Sequence, residues 1–219
     1  MQSSGKGHNG SGSVEGRGGR EVEAAPEPVR DLAEACVRFV EKALGLRLDY
    51  QAETLSLLDH YIEQGRKAVE EQPEVAVLLA QTAGAYFGEV VRRRYPSWWR
   101  IDGDDPAFWR IELEPVYLSF SPVQLIADAL LRKAASAEPG GGPVAEVEES
   151  GGERLDLGEE DREAVAARLA ELPMVSEQEF YAPSTRLEVI DIAVDAIRAR
   201  RMAEGEDTDA GLRPEDYVS

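Results

Sequence analysis

Cysteine and histidine are scarce in this chain. Its 219 residues include one cysteine, Cys36, and two histidines, His8 and His60. A single cysteine excludes an internal disulfide framework, and so few thiols and imidazoles argue against a zinc or other transition-metal site. We therefore expect no metal and no cofactor. No secretory-signal pattern lies near the N-terminus, which favours a reducing cytoplasm as the location.

Long apolar runs and lysines are also few. No window approaches the roughly 20 consecutive apolar residues that a membrane-spanning helix needs, so we expect a soluble protein without membrane contact. Among 24 lysines and arginines only four are lysines, a bias typical of GC-rich bacterial genomes. The chain is nevertheless 42% apolar. This content suffices for one compact domain of about 150 residues.

The net charge of −19 is concentrated in part of the sequence. Residues 137–161 hold nine acidic groups against Arg154 alone, among glycines and prolines, which is typical of a solvated connector. The sequence therefore predicts five regions: a disordered Gly/Ser-rich leader at 1–28, an α+β core at 29–136, an acidic Gly/Pro-rich linker or loop at 137–158, C-terminal helices packing on the core at 159–204, and a flexible acidic tail at 205–219.

Hydrophobic periodicity predicts the elements of these regions. Helical spacing of apolar residues indicates helices at 31–44, 52–66, 73–94, from 121 onward, at 159–172 and at 184–202. Alternating runs indicate a short strand at 46–49 and an antiparallel meander at 98–102, 109–113 and 116–120. Ser176 with Glu179, and Thr185 with Glu188, have capping-box spacing. The predicted class is helix-rich α+β, with helices packed on a small antiparallel sheet of three to four strands.

Cys36 and His60 are the reactive side chains of the predicted folded part. Cys36 falls on the apolar face of the first helix, so a buried structural thiol is favoured over a reactive nucleophile. His60 lies off the apolar face of the second helix, between Asp59 and Tyr61. This position favours a solvent-side residue over a catalytic base, which needs a positioned partner.

Residues 84–110 combine small, charged and aromatic side chains more densely than any other segment. Ala80, Gly84 and Gly88 fall four residues apart on the third helix. Each interior glycine costs about 1 kcal/mol relative to alanine, so we expect a close approach of another backbone to compensate. Glu89 follows directly. It is interpreted as a buried partner of an arginine one turn later, or else as a general acid or base.

Arginines and aromatic residues end this helix and begin the meander. Arg92, Arg93, Tyr95, Trp98 and Arg100 are the predicted binding residues. Such a mixture occurs on proteins that bind single-stranded nucleic acids, but a chain with a pI near 4.5 repels phosphates, so a protein partner is favoured. Packing of the tryptophans and capping of the helix by the arginines is the alternative.

A sequence pattern in the core resembles small bacterial domains of unknown function. Its parts are Leu-Ser-Leu-Leu-Asp at 55–59, Gly-Ala-Tyr-Phe-Gly-Glu-Val-Val-Arg-Arg at 84–93, and Trp99. The resemblance covers about residues 46–131 and implies no reaction and no ligand. These domains often have an acidic residue with Ser-Pro before the second helix, where this chain has Gln51-Ala52.

The sequence names no reaction and predicts a cytoplasmic protein-interaction or regulatory module, of which a module that neutralises its partner is one kind. A first alternative is a small-molecule enzyme that uses Glu89 and the Asp102–Asp105 loop, whose carboxylates could also hold a hard cation. A second alternative is an oligomeric structural protein that shares its last helix between subunits.

Overall fold

Helices and a small sheet form the architecture. The computed structural model describes residues 24–131, 155–173, 176–207 and 210–217. The helices are α1 Glu27–Leu44, α2 Leu55–Glu71, α3 Val75–Arg94, α4 Pro122–Leu131, α5 Glu159–Leu169, α6 Glu177–Phe180 and α7 Pro183–Glu204; the strands are β1 Ser97–Arg100, β2 Arg110–Leu113, β3 Leu118–Phe120 and β4 Asp156–Leu157. This arrangement confirms the predicted helix-rich α+β class.

The sheet is antiparallel throughout, in the order β1-β2-β3-β4. The predicted meander at 98–120 is confirmed as its first three strands. The fourth strand falls in 155–158, a segment that composition placed in the acidic linker. The predicted leader up to residue 23 and the linker at 137–154 lie outside the described residues.

The core is centred on α3. Nearly every residue of this helix from Leu79 to Arg92 is buried, because α1, α2 and α4 pack around it and the sheet contacts it at Phe87 and Gly88. A Cβ on Gly84 would lie 2.6 Å from the Cα of Val123 in α4, and a Cβ on Gly88 would lie 2.3 Å from the Trp99 ring in β1. The predicted close approach at the glycines is therefore confirmed.

The predicted strand at 46–49 is wrong. Leu48 is buried, but the segment forms an irregular turn into α2. Asp49 Oδ1 accepts hydrogen bonds from the Gln51 N–H and the Thr54 hydroxyl, and Tyr50 takes a left-handed backbone conformation with φ 64°. Aspartate commonly closes such turns with its own side chain, which competes with strand pairing.

The last long helix contacts the core through α2. Helix α7 lies against α5 and α2, and both sides of its broad apolar arc are buried. One predicted cap is confirmed, since Ser176 and Glu179 exchange capping-box hydrogen bonds. The other is wrong: α7 begins at Pro183, so Thr185 is already inside it. Among the described residues, no helix is both long and apolar enough to cross a membrane.

Candidate functional site

The sheet presents a polar face on the side opposite α3. Strand residues alternate between faces, so Trp99 and its cross-strand neighbour Ile111 contact the core while Trp98 turns outward. We name the opposite side the outer sheet face; its members are Trp98, Arg100, Arg110, Glu112, Ser119 and Asp156. It brings together two of the predicted binding residues, Trp98 and Arg100.

Glu112 organises this face. Glu112 is 2% exposed, and its carboxylate accepts hydrogen bonds from the Trp98 indole and from two guanidinium nitrogens of Arg100. Arg110 donates to the Ser119 hydroxyl at 2.6 Å and to Asp156 at 3.2 Å. A buried charge is tolerated when it is paired and hydrogen-bonded, and Glu112 satisfies that condition within the sheet itself.

Residues 210–217 lie across one end of the outer sheet face. The Leu212 N–H donates to the Glu114 carbonyl at 2.7 Å, and Arg100 Nη2 donates to the Pro214 carbonyl at 2.9 Å. Charge and composition placed this segment in a flexible tail. It is instead held by Tyr217, which is buried.

Tyr217 occupies a pocket of rings and backbone atoms, which we name the tyrosine pocket. Its ring stacks on Tyr117 with centroids 4.5 Å apart and meets Trp98 edge-on at 5.8 Å. Its hydroxyl accepts from the Leu118 N–H at 2.9 Å and lies 2.7 to 3.2 Å from the carbonyls of Leu113, Val116 and Leu118. Burial raises the pKa of this phenol, so the hydroxyl stays protonated and can donate.

The remaining predicted binding residues lie at the end of α3, apart from the outer sheet face. The Arg93 guanidinium lies over the Tyr50 ring at 4.0 Å. The Tyr95 hydroxyl and Arg94 Nε both donate to Asp191 Oδ1 of α7, each at 2.6 Å. Burial, and then the hydrogen bond to Asp191, raises the pKa of Tyr95 to about 12. These contacts anchor α7 to the core.

Glu89 and Arg92 are on the core side of the sheet. Glu89 Oε1 accepts from Arg92 Nε and from the Trp99 indole, both at 2.8 Å. The two residues are 8% and 7% exposed. The pairing one turn apart is the structural interpretation that helical spacing predicted. Arg92 therefore supports the sheet from inside, while Trp98 and Arg100 present their side chains outside.

The Asp102–Asp105 loop joins β1 to β2. Asp105 Oδ1 accepts from the Ala107 N–H at 3.0 Å and starts a single 3₁₀ turn, while Asp102 and Asp104 are exposed. Within the described ranges, no group of three or more histidine, cysteine, aspartate or glutamate side chains could hold a metal ion.

A cavity of about 500 Å³ lies between α2, α4 and the start of α7, and no sequence pattern predicted it. Asp59, His60 and Arg66 of α2 line one wall. Asp59 accepts from both the N–H and the hydroxyl of Ser184, at 3.1 and 2.5 Å, and so caps α7 from another helix. Burial raises the pKa of Asp59 against the opposing effect of these hydrogen bonds. His60 is exposed, as predicted, and its ring bonds Gln64.

The wall of the cavity that α2 forms could have been predicted from the sequence. Ser56, Asp59, Glu63 and Arg66 recur along one side of α2 at helical spacing. The opposite wall comes from residues more than one hundred positions later, and no local sequence pattern indicates that they contact α2.

Cys36 lies on the apolar face of α1, as predicted. It is fully buried, and burial raises its pKa to about 12, which makes it an inert thiol at neutral pH.

Comparison with protein-family models, with curated proteins and with solved structures finds no match to this chain. The resemblance to small bacterial domains of unknown function therefore stays a prediction.

Proposed function

We propose that this chain is a cytoplasmic protein-interaction or regulatory module that binds a protein partner, with Trp98 and Arg100 at the centre of the partner surface. One observation carries the proposal: these two residues already contact a peptide, the chain's own segment 210–217. Tryptophan, tyrosine and arginine are the residues that contribute most binding energy at protein interfaces. The outer sheet face presents two of these types, as Trp98, Arg100 and Arg110.

Glu89 lends no support to the enzyme alternative. A general acid or base must reach its substrate, and this carboxylate is buried with both hydrogen bonds made to structural partners. The oligomer alternative gains nothing from α7, because its apolar arc is covered by the same chain. Light scattering on the purified chain tests that alternative directly.

The test of the proposal is capture of the partner by tagged full-length chain in cells that express it naturally. Trp98→Ala and Arg100→Ala are compared with wild type, and Arg198→Ala, on an exposed part of α7, is the matched control. We expect one protein to co-purify with wild type and control and to be lost with both sheet variants. Circular dichroism verifies that each variant is folded.

The proposal is contradicted if every co-purifying protein is retained by both folded sheet variants. Arg93→Ala and Tyr95→Phe extend the test to the end of α3. Loss of the partner with these variants alone would place the surface there instead, because the described contacts do not join Arg93 or Tyr95 to the outer sheet face.

The cavity beside Asp59 favours a second candidate function, the binding of a small polar molecule. Its volume lies in the range of ligand sites, and charged groups from α2 face hydroxyl groups of Ser184 and Thr185. A thermal-shift screen against a metabolite collection tests it. A ligand seated there should lose its stabilising effect with Glu63→Gln and keep it with Glu70→Gln, which lies on the same helix outside the cavity lining.

A further inference from the structure

Tyr217 is recognised by its hydroxyl as well as by its ring. The hydroxyl accepts a hydrogen bond from the Leu118 N–H, and three carbonyl oxygens lie within 3.2 Å of it. A hydroxyl can accept and donate at once, whereas phenylalanine could fill the same space but would leave a buried N–H without a partner. The tyrosine pocket therefore selects tyrosine among aromatic side chains.

The segment that delivers Tyr217 is attached chiefly through this one side chain. Within residues 210–217, Tyr217 is buried, Leu212 is half-buried and the others are exposed. Pro214–Tyr217 forms a single 3₁₀ turn that closes on itself, because Asp216 Oδ2 accepts from the Arg213 N–H at 2.7 Å. The turn is thus self-contained, and any peptide able to form it could present a tyrosine in the same way.

The outer sheet face is formed without the segment. Glu112 is paired with Trp98 and Arg100, and Arg110 with Asp156, all within the strands. The pocket carbonyls and the Leu118 N–H belong to β2, β3 and the turn that joins them. Departure of residues 210–217 therefore leaves a site whose geometry is already set, which is the condition for tight binding of another peptide.

We propose that the tyrosine pocket is a peptide-binding site for a partner-protein segment that presents a tyrosine at the end of a single helical turn, and that residues 210–217 are its resident competitor. This inference rests on the proposed function and adds the chemistry of the partner. A tethered segment competes at the high effective concentration set by its short connection to α7, so the partner must displace it. The C-terminal segment then regulates access to Trp98 and Arg100.

The experiment uses full-length Tyr217→Ala, in which the competitor has lost its anchor. A fluorescent synthetic peptide of residues 208–219 is titrated against this variant and against wild type, with anisotropy as the readout. We expect the variant to bind at least about tenfold more tightly than wild type, because tethering favours the wild-type segment over the free peptide. A Tyr217→Phe peptide should bind the variant about tenfold more weakly, since a buried N–H is left unsatisfied.

Either of two results of this titration overturns the inference. Either the peptide fails to bind a Tyr217→Ala chain that circular dichroism shows to be folded, or the tyrosine and phenylalanine peptides bind equally. If Tyr217→Ala does not fold, a protease site introduced between the exposed Glu206 and Asp207 allows the segment to be cut from folded wild type. Failure of the cut chain to rebind the peptide after dialysis would then refute the site.

Light scattering decides whether the competitor is displaced by a second copy. A concentration-dependent dimer of wild type that is abolished by Tyr217→Ala would assign the pocket to segment exchange between copies and refute the partner peptide as its occupant. The readouts also separate this inference from the proposed function. If the peptide does not bind but a partner is captured through Arg100, the peptide site is refuted and the proposed function is kept. If the peptide binds but no partner is captured, the proposed function is refuted and the peptide site is kept.

Discussion

At the scale of single residues, two glycines set the distance between α3 and its neighbours. Gly84 meets the backbone of Val123, and Gly88 meets the ring of Trp99. Neither contact leaves room for a methyl group. The stability that glycine costs inside a helix is recovered through close packing with α4 and β1.

Gly84→Ala should therefore destabilise the protein although alanine is the better helix former. The new Cβ would lie 2.6 Å from the Val123 Cα, so α4 would have to move, and overpacking of this kind costs about 1 to 3 kcal/mol. Gly65→Ala in α2 is the matched control, since its Cβ meets only the terminal carbons of Leu79 and Leu130, at 3.0 and 3.5 Å. Urea unfolding should place Gly84→Ala well below wild type and Gly65→Ala close to it. Equal effects would contradict the backbone contact.

Asp59 should give stability a measurable pH dependence. Its pKa in the folded protein is raised above the ordinary value of 3.8, so the folded state holds the proton more firmly than the unfolded state. The resulting stabilisation is fully present below pH 3.8 and is lost as the pH rises through the raised pKa. Asp59→Asn removes this contribution and keeps the shape of the side chain.

The measurement is the free energy of unfolding of wild type and Asp59→Asn between pH 3.5 and 7. Wild type should lose stability relative to the variant as the pH rises across this range. An opposite slope in the difference would mean that the hydrogen bonds from Ser184, which favour the charged carboxylate, outweigh burial.

At the scale of elements, a buried carboxylate holds α5 against α7. Asp161 is fully buried; Arg200 Nε donates to it at 2.6 Å, and Arg201 approaches at 3.8 Å. Arg200 also pairs with Glu204 and Glu206, whose side chains are 55% and 47% exposed. One arginine therefore makes a buried and an exposed ion pair side by side.

The buried Asp161 and the exposed Glu204 should differ sharply in what their ion pairs with Arg200 contribute to stability. Asp161→Asn leaves a charged guanidinium facing a neutral, buried partner, and breaking such a pair costs about 3 kcal/mol or more. Glu204→Gln breaks a solvated pair, for which the cost is below about 1 kcal/mol. Thermal or urea unfolding of both variants measures the difference. Similar losses would show that burial of Asp161 does not govern the strength of its pair.

Most elements could be predicted from periodicity because each buries a continuous apolar stripe. The meander and the contacts of Gly84 followed from local spacing. Two predictions failed because a side chain made a hydrogen bond that the local pattern does not indicate. Asp49 closes a turn where alternating residues predicted a strand. Asp59 of α2 caps α7, where the sequence predicted that Thr185 would cap it. The outer sheet face was predicted in part. Trp98 and Arg100 were predicted as binding residues, whereas Tyr217 lies in an acidic segment of the sequence and reaches the sheet only in the folded chain.

At the scale of the whole molecule, side-chain hydrogen bonds tie α7 to the core. Ser184 bonds Asp59, and both Tyr95 and Arg94 bond Asp191. The apolar arc of α7 adds a large buried surface against α2 and α5. Such an arrangement forms one cooperative unit, since neither part can leave without exposing apolar surface of the other.

Unfolding should consequently be a single transition by two probes that see different regions. All three tryptophans lie in or beside β1 and β2, so fluorescence reports the sheet, while far-UV circular dichroism reports the helices, α5 and α7 included. We expect the two urea curves to coincide within error. Asp191→Asn weakens the link at Tyr95 and should shift both curves to lower urea together. A dichroism loss that precedes the fluorescence change, in either protein, would show that α5 and α7 unfold as a separate unit and that the core stands without them.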